Sequence, residues 1–147
     1  MKSNVHQLVS PRGIDANLSP DAFHMWALHY YQCKKDFQNP HGFSPVPYFL
    51  LCRATELEIK SRHLHEMDRT HIKNEFRHHL LKAYKALPEE QRILNNEELE
   101  TLSVANEIYR GKGFEYFNPE HALQEYSQFP NLAMLDSVAR RLVKPNE

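Results

Sequence analysis

The sequence predicts an all-α protein: a single-domain antiparallel up-and-down bundle of about five helices. Three observations carry that reading. Apolar residues recur at alternating spacings of three and four along five segments, the period of one buried helix face. The Val-, Ile- and Thr-rich runs that strands favour are nearly absent, and only 4 of the 147 residues are glycine. Most connections are short, which sets successive helices antiparallel. At 41% hydrophobic and 25% charged residues, a chain of this length can bury a core without metal or disulfide.

The bundle is expected over residues 19–144, after an N-terminal arm (1–18) and before a frayed tail (145–147). Ser19 and Pro20 open the first helix as an N-cap followed by proline at the first helical position. Phe23, Trp26, Tyr30, Cys33 and Phe37 are its apolar seam, and the segment from Gln38 to Gly42 ends it. The second helix starts near Pro45 or Pro47 and runs to about Glu66, burying Leu50, Ala54, Leu57, Ser61 and Leu64. A third, about Phe76 to Leu87 with its start near Thr70 or Asn74, carries Phe76, Leu80, Ala83 and Leu87. Pro88 interrupts the pattern, and Asn95 with Glu98 has the spacing of a capping box for a fourth helix. That helix presents Leu99, Leu102, Ala105 and Tyr109 and stops at Gly111 and Gly113. A polar-aromatic loop from Phe114 to Phe129 follows, with a short helix from Pro119 to Tyr126. Asn131 caps the fifth helix, whose seam is Leu132, Leu135, Ala139 and Leu142.

Charge and cysteine usage narrow the function classes. A formal charge of −1 argues against the broad basic footprint of a duplex-DNA binder. The longest apolar run, Tyr48 to Cys52, is far short of the roughly 18 residues of a membrane helix, and the first residues carry no apolar signal segment. Cys33 and Cys52 lie in helical patterns without a CxxC partner and read as reduced thiols, so the expectation is a cytoplasmic protein. The average hides an asymmetry: residues 53–92 hold nine basic and seven acidic residues, whereas residues 93–147 hold five and nine. Five of the ten histidines also fall in the middle stretch. A mildly basic centre suits a phosphate, or the acidic end of a second copy.

Three stretches carry a family resemblance. Residues Tyr48 to Lys60 combine an apolar run with a polar residue, Ala54, Glu56 and Lys60. Phe76-Arg77-His78-His79-Leu80 stands where a Phe-Gly-His-Asp-Leu element would open a later helix, and Tyr109 to Phe117 forms a Tyr-rich basic segment before the last helix. In order and spacing these resemble HEPN-type domains, small helical bundles of bacterial toxins and nucleotidyltransferase partners. The match extends over residues 45–143. Two departures bear on activity. The Gly-His-Asp of the family is Arg77-His78-His79 here, and the polar residue often seen as His is Arg53. No arginine is followed after four to six residues by histidine, so the motif the family uses for RNA cleavage is absent.

The candidate site residues are Arg53, Glu56, Lys60, His78 and His79. Arg53, Glu56, Lys60 and His63 share one helix face at spacings of 3, 4 and 3. That face is either a phosphate-facing groove or a solvated boundary stripe with a Glu56–Lys60 pair worth about 0.2–0.5 kcal/mol. On a helix, His79 falls at the core margin, donating to a backbone carbonyl, and His78 points opposite, unless the resemblance is right and His78 sits before the helix begins. No metal site is expected: His63 and His65 fall on opposite faces, and neither HxxxH nor HExxH occurs. The loop aromatics Phe114, Tyr116, Phe117, Tyr126 and Phe129 form either a base-stacking platform or a lid over the bundle end. No cofactor is implied, since glycine-rich phosphate loops and nucleophile elbows are both missing.

The resemblance and these residues imply a non-catalytic binding module for a nucleotide or RNA phosphate, or for a nucleotidyltransferase-type protein partner. The alternatives are a divergent ribonuclease using Glu56 and His78, and a purely structural interaction protein. A homodimer formed by the seams of helices two and five, with grooves lined by Arg53, Glu56 and Lys60, is also expected.

Overall fold

The structure is a computed structural model that describes residues 18–39 and 42–146. The expected N-terminal arm lies outside the described residues except for Leu18, as does Glu147 of the tail. Among the described residues, seven α-helices and one 3-10 turn form a helical bundle with no strand. The helices are α1 (Pro20–Asp36), α2 (Val46–His63), α3 (Arg69–Phe76), α4 (Leu80–Lys85), α5 (Asn96–Arg110), α6 (Pro119–Leu123) and α7 (Leu132–Val143), and the turn is Glu89–Gln91.

The capping chemistry works where the sequence places it. The Ser19 hydroxyl accepts from the Ala22 amide at 3.1 Å, and the Asn131 side chain accepts from Met134 at 2.9 Å. Asn95 and Glu98 form the reciprocal capping box, each side chain accepting from the other's backbone amide.

Helix α2 is the centre of the molecule and packs against α1, α4, α5 and α7. Twelve of its 18 residues are buried, far more than one stripe supplies. Leu51, Cys52, Ala54, Thr55 and Ile59 are fully covered, whereas Leu50 and Leu64 of the expected stripe are only half-buried. The Thr55 hydroxyl donates to the Leu51 carbonyl and Ser61 to that of Pro20, so these buried polar groups are satisfied. The seam of α7 packs on α2 within the same chain. Of the seams expected to build a homodimer, Ala54, Leu57, Leu135, Ala139 and Leu142 are thus covered within the chain, while Leu50, Leu64 and Leu132 are half-buried.

Three other expectations are corrected. In α1 the buried positions are Ala27 and Tyr31, while Trp26 is 59% exposed and Cys33 is exposed. Small Ala27 lets the two backbones approach closely, and the large ring beside it is displaced to the flank. The expected third helix is two, α3 and α4, because Arg77 between them adopts φ 48°. Helix α6 ends at Leu123, since Glu125 and Tyr126 both have positive φ. Beyond it, Tyr126 stacks on Phe43 at 4.1 Å and Phe114 on Tyr48 at 5.5 Å, with Phe129 edge-on to all four rings. The loop thus lids the bundle end, and of its aromatic rings only those of Tyr116 and Phe117 stand in solvent. No described helix is long and apolar enough to cross a membrane.

Candidate functional site

Glu56 lies on the central helix with its side chain 3% exposed. A buried carboxylate needs partners to stay charged, and four side chains from three segments provide them. Lys60, one turn along α2, approaches Oε2 to 2.5 Å, and Arg53, one turn back, approaches Oε1 to 3.3 Å. The Tyr109 hydroxyl near the end of α5 donates to Oε1. From the link between α3 and α4, His78 Nδ1 lies 2.9 Å from Oε2. Burial alone pushes the Glu56 carboxyl up. The Lys60 charge and hydrogen bond, the Tyr109 hydroxyl and His78 outweigh it and hold Glu56 below the usual carboxylate range. Burial and then the Glu56 charge push the Tyr109 phenol up, so it stays protonated and remains the donor.

The His78 link is a tight turn. The His79 amide donates to the Phe76 carbonyl at 2.8 Å, and Lys60 Nζ donates to the Arg77 carbonyl at 2.5 Å. His78 is thereby non-helical and precedes the start of α4. With Glu56 ionised, Nδ1 is the donor and Nε2 is the free ring nitrogen on a side chain that is 57% exposed. His79 does something else than expected. Its Nδ1 accepts from the Lys82 amide at 3.2 Å and caps α4, a role the sequence reading did not foresee. Burial and the nearby Arg110 hold its imidazole below the ordinary value. His63 leaves the polar stripe altogether: it is buried, stacks on Phe76 at 4.7 Å and hydrogen-bonds the Ala83 carbonyl. Three of the four stripe residues, Arg53, Glu56 and Lys60, thus meet with His78, while His79 borders them.

Three clefts open around His78. One of about 350 Å³ is lined by Arg53, Lys60, Arg69, Lys73 and Arg77, with Glu56 as its single carboxylate. A second, of about 410 Å³, runs past Arg77, His79, Lys82 and Arg110 with Glu75 opposite. The third, about 280 Å³, brings Arg110, Lys112 and Glu115 together with the rings of Tyr30, Phe49 and Tyr109. Arg53 bridges this aromatic side to the carboxylate, its guanidinium 5.9 Å from the centre of the Tyr30 ring. Arg69, Lys73 and Arg77 make no ion pair among the described residues. Concave walls lined by one sign of charge focus the field and attract anions. Among the described residues no group of three His, Cys, Asp or Glu side chains is arranged to hold a metal.

Sequence reasoning missed Arg69, Lys73, Arg77, Arg110 and Tyr109 as members of this site. The basic excess of residues 53–92 was the signal for the first three. Lys112 was visible between two glycines, yet the left-handed residue that ends α5 is Lys112 itself, φ 60°. Gly113 is needed for close approach: a Cβ there would lie 2.7 Å from Ile108 Cγ2. Compared with protein-family models, curated proteins and solved structures, the chain matches none.

Proposed function

We propose that the protein is a non-catalytic, HEPN-like module that binds the phosphate of a nucleotide or of single-stranded RNA in the cleft around His78. The observation that supports this reading is the charge balance of the 350 Å³ cleft: five cationic side chains line it with one carboxylate that is itself already neutralised. Arg53 and Arg77 supply planar guanidinium forks suited to phosphate oxygens, and Lys60, Arg69 and Lys73 add positive field. The test is fluorescence anisotropy with a labelled single-stranded RNA decamer, with ATP as competitor. Binding should weaken steeply between ~50 and ~200 mM salt, and Arg53→Ala should weaken it about tenfold. No binding at the lower salt, or binding indifferent to salt, overturns the proposal.

One observation favours a second reading, a divergent ribonuclease. A histidine oriented through Nδ1 by a buried carboxylate, with Nε2 free beside cations, has the parts of a general base near a phosphate. RNA cleavage by the wild type that disappears in His78→Ala would replace the binding reading with this one.

A further inference from the structure

Arg77 stands where the backbone favours glycine. Its φ of 48° and ψ of −115° are those of the second residue in a type II′ turn, closed by the bond from the His79 amide to the Phe76 carbonyl. Glycine dominates that position because a Cβ crowds the backbone there. The fold gains nothing from the side chain in return. Arg77 is exposed, and among the described residues its guanidinium has no hydrogen bond and no ion pair. The turn is held through other groups, the Lys60 ammonium on the Arg77 carbonyl and the Glu56 carboxylate on His78. Strain of this kind persists where neighbouring contacts over-determine the backbone, and it concentrates at functional sites.

The same guanidinium lines both of the larger clefts, the 350 Å³ and the 410 Å³ ones. We infer that Arg77 is a ligand-binding residue, kept at a glycine position against the stability of the turn so that its guanidinium grips a phosphate held between those two clefts. The inference rests on the phosphate-binding reading above and assigns that site its central contact. A parallel supports it: Lys112, φ 60°, is a second cation at a positive-φ position, and it lines the third cleft.

The variants Arg77→Gly, Arg77→Ala and Arg77→Lys separate strain from binding, with thermal unfolding and RNA-decamer anisotropy as the two readouts. Arg77→Gly should raise Tm by about 3–6 °C and weaken binding roughly 5–10-fold. Arg77→Ala keeps the Cβ, so it should weaken binding equally with little gain in Tm. Arg77→Lys keeps charge without the fork and should fall between the wild type and Arg77→Ala in affinity. If Arg77→Gly binds as tightly as the wild type while Arg53→Ala does not, the Arg77 assignment is wrong and the phosphate reading survives. A fall in Tm on Arg77→Gly overturns the strain argument. If the wild type binds no oligonucleotide, both readings fall together.

Discussion

Glu56 and Glu58 lie two residues apart on α2, and their surroundings are assembled from the same parts. Each is a buried carboxylate with a basic residue four positions along, Lys60 for Glu56 and Arg62 for Glu58. Each also meets a histidine from another segment, His78 at 2.9 Å and His24 at 2.5 Å respectively. Their uses diverge. Arg62 continues past Glu58 to donate to the Leu142 carbonyl at 2.6 Å, so that group ties α1, α2 and the end of α7 together. Glu56 instead ties α2 to α5 and to the His78 turn, and its partners open onto the basic clefts. A Glu–cation–His constellation is therefore no evidence of a site by itself. The excess of cations left without acidic partners distinguishes the two, and it is found on the Glu56 side.

The largest effect that would break the comparison is on stability. Glu56→Ala removes the acceptor of four groups and leaves Lys60 and Arg53 buried or half-buried without it. Stripping one partner from a buried charged network costs about 3–5 kcal/mol. Glu58→Ala strands only Arg62, which keeps the Leu142 carbonyl, and His24, which is 40% exposed. That loss should be nearer ~1–2 kcal/mol. Urea denaturation of both variants measures the difference, and equal losses would mean that the Glu56 network holds the fold no more tightly than its neighbour.

Why the two sides were not told apart from the sequence is a matter of helix geometry. Periodicity locates a buried face when one face is buried, and α5 and α7 were legible for that reason, as their caps were from Asn95, Glu98 and Asn131. Helix α2 is enclosed on most of its circumference, so apolar spacing carries little information there. It let Glu56 read as a boundary residue and left Glu58 unremarked. Arg53, Glu56 and Lys60 were recoverable because i, i+3 and i+7 share a face. Tyr109 reaches Glu56 through the packing of α5 on α2, a long-range contact that local spacing does not show, and nothing in that spacing announces a positive φ at Arg77.

A smaller effect sharpens the comparison through pH. Glu56 titrates below its ordinary value in the folded protein, because Lys60, Tyr109 and His78 outweigh its burial. A depressed carboxylate stabilises the fold fully above its unfolded value, and that contribution is lost as pH falls through the lower folded value. Asp136, held down by Lys34 and Tyr31 against its own burial, adds in the same direction. Wild-type Tm should thus be flat from about pH 7 to 5 with respect to these groups and fall steeply below about pH 4.5. Glu56→Gln should flatten that acid limb, leaving the part that Asp136 carries. An unchanged limb would show that Glu56 is not charged in the fold.

The smallest expected effect probes the clefts most directly. Glu75 pairs with Lys82 at 3.3 Å, but both side chains are about half exposed, 47% and 50%, so the pair contributes less than about 0.5 kcal/mol. Glu75 is nonetheless the lone carboxylate of the 410 Å³ cleft. Glu75→Gln should leave the urea midpoint almost unmoved, since Lys82 keeps its bond to the residue-75 carbonyl, and raise the positive field that a phosphate meets. RNA binding should then tighten about twofold at ~50 mM salt and return to the wild-type value at ~200 mM, where screening shortens the reach of one charge. The matched change on the other side, Arg62→Ala, should lower stability and leave RNA affinity where it was. If instead Glu75→Gln weakens binding, the acid is orienting Lys82 rather than diluting its charge, and the division between a tying carboxylate and a cleft carboxylate has to be redrawn at Glu75.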